Sequence, residues 1–456
     1  MKKLLSVLLA VLMVLGMAAC SGSGSSAAPA PAPASSDTPA APEASEGKVL
    51  NVWTWNTEFW DFLGKYYADE VVDEYTLKKG DVTIKRTTYP SDGGAYQDAL
   101  DAALLNQANA KDDEKVDLFL AEADYILKYT NSDATMDVKS IGVTDFSNTY
   151  AYTVSAASDA NGVVKGVSFQ CCPAAVIYRR SIAKDILGTD DPAAVQEAMK
   201  DWDAFDKLAA DAKAKGYYMI PTTNATYRVY SNNATTPWVV DGKLNIDANI
   251  ERWMDQSEEY VKNGYTAYTS NIWGDEATSE MFASGKSLCF FGPAWYFNFS
   301  MTNAQDPEKG CPGDWAICQG PQAWFWGGTW MLAATGTDNP TMVADIMNTF
   351  INNEEVCDAL VKNEAQFSNN QKVNNKYATD PTFGSEFLGG QNPNEVFAEL
   401  AKNIKFENVT QYDQLCNEGL QTYFTEFLDG QVATRDDAIN NFKDYIRTTY
   451  PSVTVE

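Results

Sequence analysis

Gly320–Thr335 reads GPQAWFWGGTWMLAAT. Three tryptophans, Trp324, Trp326 and Trp330, stand with Phe325 around the pair Gly327-Gly328. The apolar run Trp330–Ala334 predicts a buried strand. Adjacent glycines open backbone dihedrals closed to other residues and let a ligand or another segment come close. Flat aromatic faces beside such glycines suit a flat, partly apolar ligand such as a sugar ring. The same residues fit a core strand entered through a glycine turn, with every indole packed inside. The rest of the chain decides between these readings.

Upstream, the chain alternates strand and helix. Lys48–Trp55 (KVLNVWTW) predicts a strand ending in the polar loop Asn56-Thr57-Glu58. Phe59–Glu74 has helical spacing, Val82–Thr88 reads as a second strand, and Tyr96–Ala110 as a helix rich in Ala and Leu. Val116–Ala121 (VDLFLA) is a third apolar strand, followed by Glu122-Ala123-Asp124-Tyr125. This order predicts a parallel sheet with helices on both faces. Ligands bind such sheets beyond the carboxyl ends of the strands. Three loops therefore converge: Trp55–Glu58, Tyr89–Gly94 and Glu122–Tyr125. Farther on, helices are expected over Trp202–Lys215, from near Asp247, and over Asp275–Gly285 and Asn339–Asn352. Strands are expected at Ser287–Phe291 and Asp314–Gln319, and the C-terminal remainder reads as mostly helical.

The chain has 456 residues, room for two substantial domains. Its 12 Trp and 23 Tyr fit a protein that binds with ring faces. A formal charge of −28 disfavours nucleic acid and anionic membrane surfaces as partners. Histidine is absent, which removes Ser-His-Asp and Cys-His catalysis and His-ligated metal sites. No cofactor and no metal are expected.

The N-terminus reads as a targeting segment. Lys2 and Lys3 precede the apolar stretch Leu4–Ala19, too short and poorly flanked to span a bilayer. The run Leu15-Gly16-Met17-Ala18-Ala19-Cys20 resembles the lipobox of bacterial lipoproteins. That resemblance implies cleavage before Cys20 and lipid on its thiol and amine. The other reading is an ordinary signal peptide cut after Ala19. Ser21–Gly47 is Ser, Gly, Ala and Pro and cannot bury a core. As a tether of about 27 residues it reaches roughly 30 Å. Together these place a globular body at the extracytoplasmic face of a bacterial cell membrane, lipid-anchored. After Cys20, seven cysteines remain, at 171, 172, 289, 311, 318, 357 and 416. Cys311 and Cys318 flank a turn and could bridge; most of the set is read as free, buried and apolar.

The order of signatures resembles family 1 extracellular solute-binding proteins, the sugar-binding components of ABC importers that include maltose-binding protein. Asn51–Trp55 is similar to the family's first strand. Gly162–Pro173 with Val176–Arg179 resembles its G-x-x-x-G-V-P segment, with Ser168 where Pro is common. Trp202–Phe205 resembles a conserved-type helix start, and Met281–Lys286 with Gly292-Pro293-Ala294-Trp295 resembles the most specific block. Trp326-Gly327-Gly328 resembles the stretch before the second lobe crossing. The matches spread over nearly all of Lys48–Glu456.

The resemblance implies an α/β, two-lobed periplasmic-binding-protein type II fold, its ligand cleft lying between lobes joined by crossing hinge strands. Crossings are inferred near Val167–Pro173, Trp326–Met331 and Ile351–Val356. The implied division is 1–19 signal peptide, 20–47 anchor and tether, 48–168 lobe one, 169–327 lobe two, 328–352 returning to lobe one, and 353–456 C-terminal helices of lobe two. It implies a binder, not an enzyme, that hands a mono- or oligosaccharide to permease subunits; a monomer is expected. In ligand roles the resemblance suggests Asp124 as a carboxylate accepting sugar hydroxyls, since charge-assisted bonds are the stronger ones. It makes Trp295 a stacking platform and puts Trp326 and Gly327 at the hinge. Trp55, Asn56 and Glu58 close strand one, Gln170 sits at the first crossing, and Trp238 and Trp273 in lobe-two loops cover the cleft. For each tryptophan the alternative is packing. Two other functions stay open: a polyamine, peptide or other solute on the same scaffold, and a glycosidase needing paired carboxylates such as Glu122 and Asp124.

Overall fold

The structure is a computed structural model that describes residues 47–269 and 271–456. The signal segment, Cys20 and the tether as far as Glu46 lie outside the described residues. The tether's last residue, Gly47, already donates its N–H to the Asp338 carbonyl.

Most of the strands gather in two large sheets. The first contains β1 (Val49–Thr54), β2 (Glu70–Asp73), β3 (Thr76–Lys79), β4 (Val82–Thr88), β5 (Leu118–Glu122) and β6 (Gly166–Ser168). The strand Thr329–Ala333 joins it late, and the spatial order is β2-β3-β4-β1-β5-(329–333)-β6. β1 runs parallel to β4 and β5, as the strand and helix alternation predicts. Thr329–Ala333 runs antiparallel between β5 and β6. The second sheet centres on β7 (Pro173–Arg179), which is buried throughout. It pairs antiparallel with Cys289–Gly292, Trp315–Cys318 and Trp324–Phe325.

The chain thus passes between the sheets over 169–172 and 326–328, where two of the inferred crossings lie. Near Ile351–Val356, the third inferred crossing, the chain is helical instead, and the helix Glu354–Glu364 packs against the preceding helix Pro340–Asn352. Its last residue, Glu364, accepts from Lys65 and Tyr66 beside the first sheet. Its Cys357 and Val361 form a separate small core with Val373 and Tyr377. The bridge Gln170–Ser368 then sets a third strand of chain beside the first crossing.

Three local expectations are corrected. The helix predicted to reach Glu74 covers only Glu58–Tyr66. Beyond it, β2 and β3 form a hairpin in which the Asp73 carboxylate accepts the Tyr75 N–H and Asp69 accepts the Gly80 N–H. Side chains that satisfy the backbone locally compete with helix. The predicted helix Asp275–Gly285 stops at Ser279. There the Glu280 carboxylate takes the N–H groups of Lys286 and Ser287 and the Ser287 hydroxyl. Cys311 and Cys318 are not bridged; all seven described cysteines are free, and all but Cys311 are buried. No helix among the described residues is long and apolar enough to cross a membrane.

Candidate functional site

A cleft of about 630 Å³ opens between the sheets where the chain crosses. That is within the size of ordinary small-molecule sites. All three strand-end loops reach it: Trp55–Glu58 after β1, Pro90–Asp92 after β4, and Glu122 at the end of β5. From the opposite side come Trp273, Trp295, Asn298 and Phe299, and the crossings supply Gln170, Trp326–Thr329 and Gln366.

The opening stretch divides its labour. Trp324 and Trp330 are buried, and the Trp330 indole donates to the Thr153 carbonyl, so these two are packing residues. Trp326 lines the cleft. Gly327 and Gly328 take left-handed φ of 75° and 121°, a region that favours glycine. A Cβ on Gly327 would stand 3.4 Å from the Trp295 indole nitrogen and 3.5 Å from a Glu122 carboxylate oxygen. One on Gly328 would strike the Trp330 ring at 2.9 Å. The glycine pair thus lets an indole and a carboxylate from different elements flank one bare stretch of backbone.

Four aromatic side chains form one wall. The Trp295 indole N–H donates to the Trp326 carbonyl at 3.1 Å, fixing its ring. Trp295 and Trp326 meet edge to face at 5.2 Å between centroids, and Trp273 approaches Trp326 at 5.4 Å. Phe299 packs on both Trp273 and Trp295, at 6.3 and 6.1 Å. Trp273 and Phe299 remain 48% and 71% exposed, an unusual state for large rings unless something covers them. Trp55 stands on the other side, edge-on to Tyr96 and Tyr125.

Acceptors and amides make up the polar floor. Asn56 accepts the Glu58 N–H, capping the turn that presents both. Glu58 accepts from the Gln366 amide at 2.9 Å, with the Gln170 amide at 3.5 Å. Burial pushes the Glu58 carboxyl up from 4.5 to about 7, and the Gln366 bond only partly offsets this. Glu122 accepts the Asp124 N–H at 2.7 Å. Burial first, then the neighbouring Asp124 charge, push its carboxyl well above the usual carboxylate range. Among the described residues no group of His, Cys, Asp and Glu is arranged to hold a metal ion.

Two expected site residues lie elsewhere. Trp238 does not line this cleft. It is buried, packs edge-on against Phe442 and donates to Asn417, so it is a packing tryptophan of the C-terminal helices. Asp124 does not line this cleft either, and Arg228 holds both its oxygens at 2.9 and 2.6 Å. Burial opposes the charge, but the guanidinium wins and holds the Asp124 carboxyl below its ordinary value. Arg228 also lies 5.1 Å from the Trp326 ring, a cation–π distance. Sequence reasoning missed Arg228, Gln366 and Phe299. Only Phe299 left a trace, as an apolar residue closing the short run AWYFNF after Gly292-Pro293. Trp55, Asn56, Glu58, Gln170, Trp295, Trp326 and Gly327 all line the cleft.

Solved structures share this architecture. A family 1 extracellular solute-binding protein superposes with a TM-score of 0.72 at 16% identity, covering 90% of this chain and 100% of that one. The galacto-N-biose/lacto-N-biose I-binding protein of Bifidobacterium longum, solved with lacto-N-biose, gives 0.64 at 15% identity over 90% and 100%. The sugar-binding protein MalE of Xanthomonas citri gives 0.64 at 12% over 88% and 96%. At these identities the likeness is one of fold. A search of curated protein sequences finds no match. The profile of the family described as bacterial extracellular solute-binding protein matches residues 70–384, more than half of the chain. Strand order, crossings and profile agree: the chain belongs to the bacterial extracellular solute-binding proteins, with the two-lobed α/β fold of the MalE-like members.

Proposed function

We propose that this protein captures a mono- or oligosaccharide in the cleft and delivers it to the permease of an ABC importer, held at the membrane by lipid on Cys20. One observation carries the reading. An aromatic wall of Trp273, Trp295, Phe299 and Trp326 stands over a floor of carboxylates and side-chain amides. Sugars need both: C–H faces that pack on rings and hydroxyls that pair with acceptors and donors. Lobe one takes in residues 48–168 and 328–352, lobe two residues 169–327 and 353–456, and closure over the ligand is the form a permease reads. Solved relatives support the choice of ligand class, among them the Bifidobacterium animalis subsp. lactis protein in complex with beta-1,6-galactobiose. The chain acts as a monomeric binder and not as a glycosidase. A melting-temperature screen over saccharides, polyamines and amino acids, with product analysis on the same samples, tests this. A saccharide should raise the melting temperature and be recovered intact. Released monosaccharide would contradict the binder, and stabilisation by amino acids alone would contradict the ligand class.

A further inference from the structure

We propose that the solute carries a protonated amine, so that within the carbohydrate reading, on which this inference rests, the ligand is an amino sugar. The cleft and its aromatic wall define the site; its charge decides the class. Glu58, Asp92, Glu122 and Glu364 line it, and among the described lining residues there is no lysine or arginine. Glu364 is neutralised by Lys65 at 2.9 Å. Arg228 is committed to Asp124 and stacked on Trp326. Glu58 is left with side-chain amides, while Glu122 accepts a backbone N–H and shares the single charge of Arg228 with Asp124. A neutral sugar needs acceptors for its hydroxyls, but it does not need carboxylates that outnumber the cations beside them. Two such groups together strongly disfavour the empty, fully ionised cleft. An ammonium group supplies the missing charge at the point where burial makes it most effective. The ring faces add to this, because their negative π-clouds attract cations as well as sugar C–H groups. The amides of Asn56 and Asn298 remain for neutral hydroxyls.

The preference is read by calorimetry on the full chain in mild detergent at neutral pH. The probes are a glucosamine disaccharide, its N-acetylated counterpart and spermidine. Removing one charge-assisted hydrogen bond corresponds to roughly 10- to 100-fold in affinity. The free-amine disaccharide should therefore bind at least about 10-fold tighter than the acetylated one. Glu122→Gln and Glu58→Gln should each narrow that gap, because each costs the free-amine sugar more affinity than the acetylated one. The wild-type comparison stands even if a variant fails to fold. Equal or tighter binding of the acetylated disaccharide overturns the inference and leaves the carbohydrate reading intact. Binding of spermidine with neither disaccharide overturns both.

Discussion

Arg228 and Asp124 make the contact most open to a quantitative test. Asp124 follows β5 in the first sheet. Arg228 lies on the helix Tyr227–Asn232, whose Asn232 accepts the N–H of Phe325 in the second sheet. The bidentate pair therefore ties one half of the molecule to the other beside the cleft. Its two bonds, at 2.9 and 2.6 Å, are charge-assisted. Each side chain keeps a little under a third of its surface exposed, 30% for Arg228 and 29% for Asp124. That exposure discounts the ~3–5 kcal/mol expected on breaking a fully buried pair to about 1.5–3 kcal/mol. If the pair forms only when the halves are together, this energy biases the molecule toward that arrangement. Arg228→Ala should then weaken saccharide binding by roughly 10- to 150-fold. Asp124→Ala should do the same, and the double variant should be little worse than either, because both remove one interaction. Calorimetric affinities for the four proteins close the cycle. Single variants that bind within about twofold of wild type, or losses that simply add, would refute the latch.

Three further outcomes are expected. The Glu58 carboxyl is raised from 4.5 to about 7 in the folded protein, so the folded state holds its proton where the unfolded state has released it. Glu58 thus costs nothing below about pH 4.5, and it lowers stability progressively as pH rises toward about 7. Melting temperatures of ligand-free Glu58→Gln should fall less steeply than wild type across that window, and parallel curves would contradict the assignment. Cys20→Ala should leave the protein unprocessed or released into the medium; a variant still cleaved and anchored would rule out lipid attachment there. Small-angle scattering should give a smaller radius of gyration with saturating saccharide than without it, and an unchanged radius would argue for a rigid site.

What the sequence made legible was what local pattern encodes. β1 and β5 are largely apolar runs and β4 is rich in β-branched residues, each bounded by polar turns, so both the strands and the ends from which loops enter the cleft could be placed. Trp326-Gly327 stood out because left-handed backbone demands glycine. Where the sequence misled, the deciding information lay in distant partners. Asp124 reads as a free strand-end carboxylate until Arg228, 104 positions later, folds onto it. Glu58 meets Gln366 across 308 positions, and no periodicity marks that pair. Trp238 and Trp295 are both loop tryptophans by pattern; only packing tells which one Phe442 covers. The hairpin β2–β3 was hidden because Asp69 and Asp73, acceptable in a helix by spacing, satisfy turn N–H groups instead.

Trp295 is the residue on which a saccharide platform in this cleft stands or falls. Its indole N–H is spent on the Trp326 carbonyl, so its remaining contribution to a ligand is its ring surface. Loss of a stacking face of this kind is worth roughly 1–3 kcal/mol, or about 5- to 150-fold in affinity. Calorimetric titration of wild type and Trp295→Ala with the saccharide that most raises the melting temperature, with a melting curve on each sample, is the measurement. Affinity should drop by that factor while the melting temperature stays nearly fixed. A large fall in melting temperature with undiminished affinity would make Trp295 a packing residue and contradict a saccharide platform in this cleft.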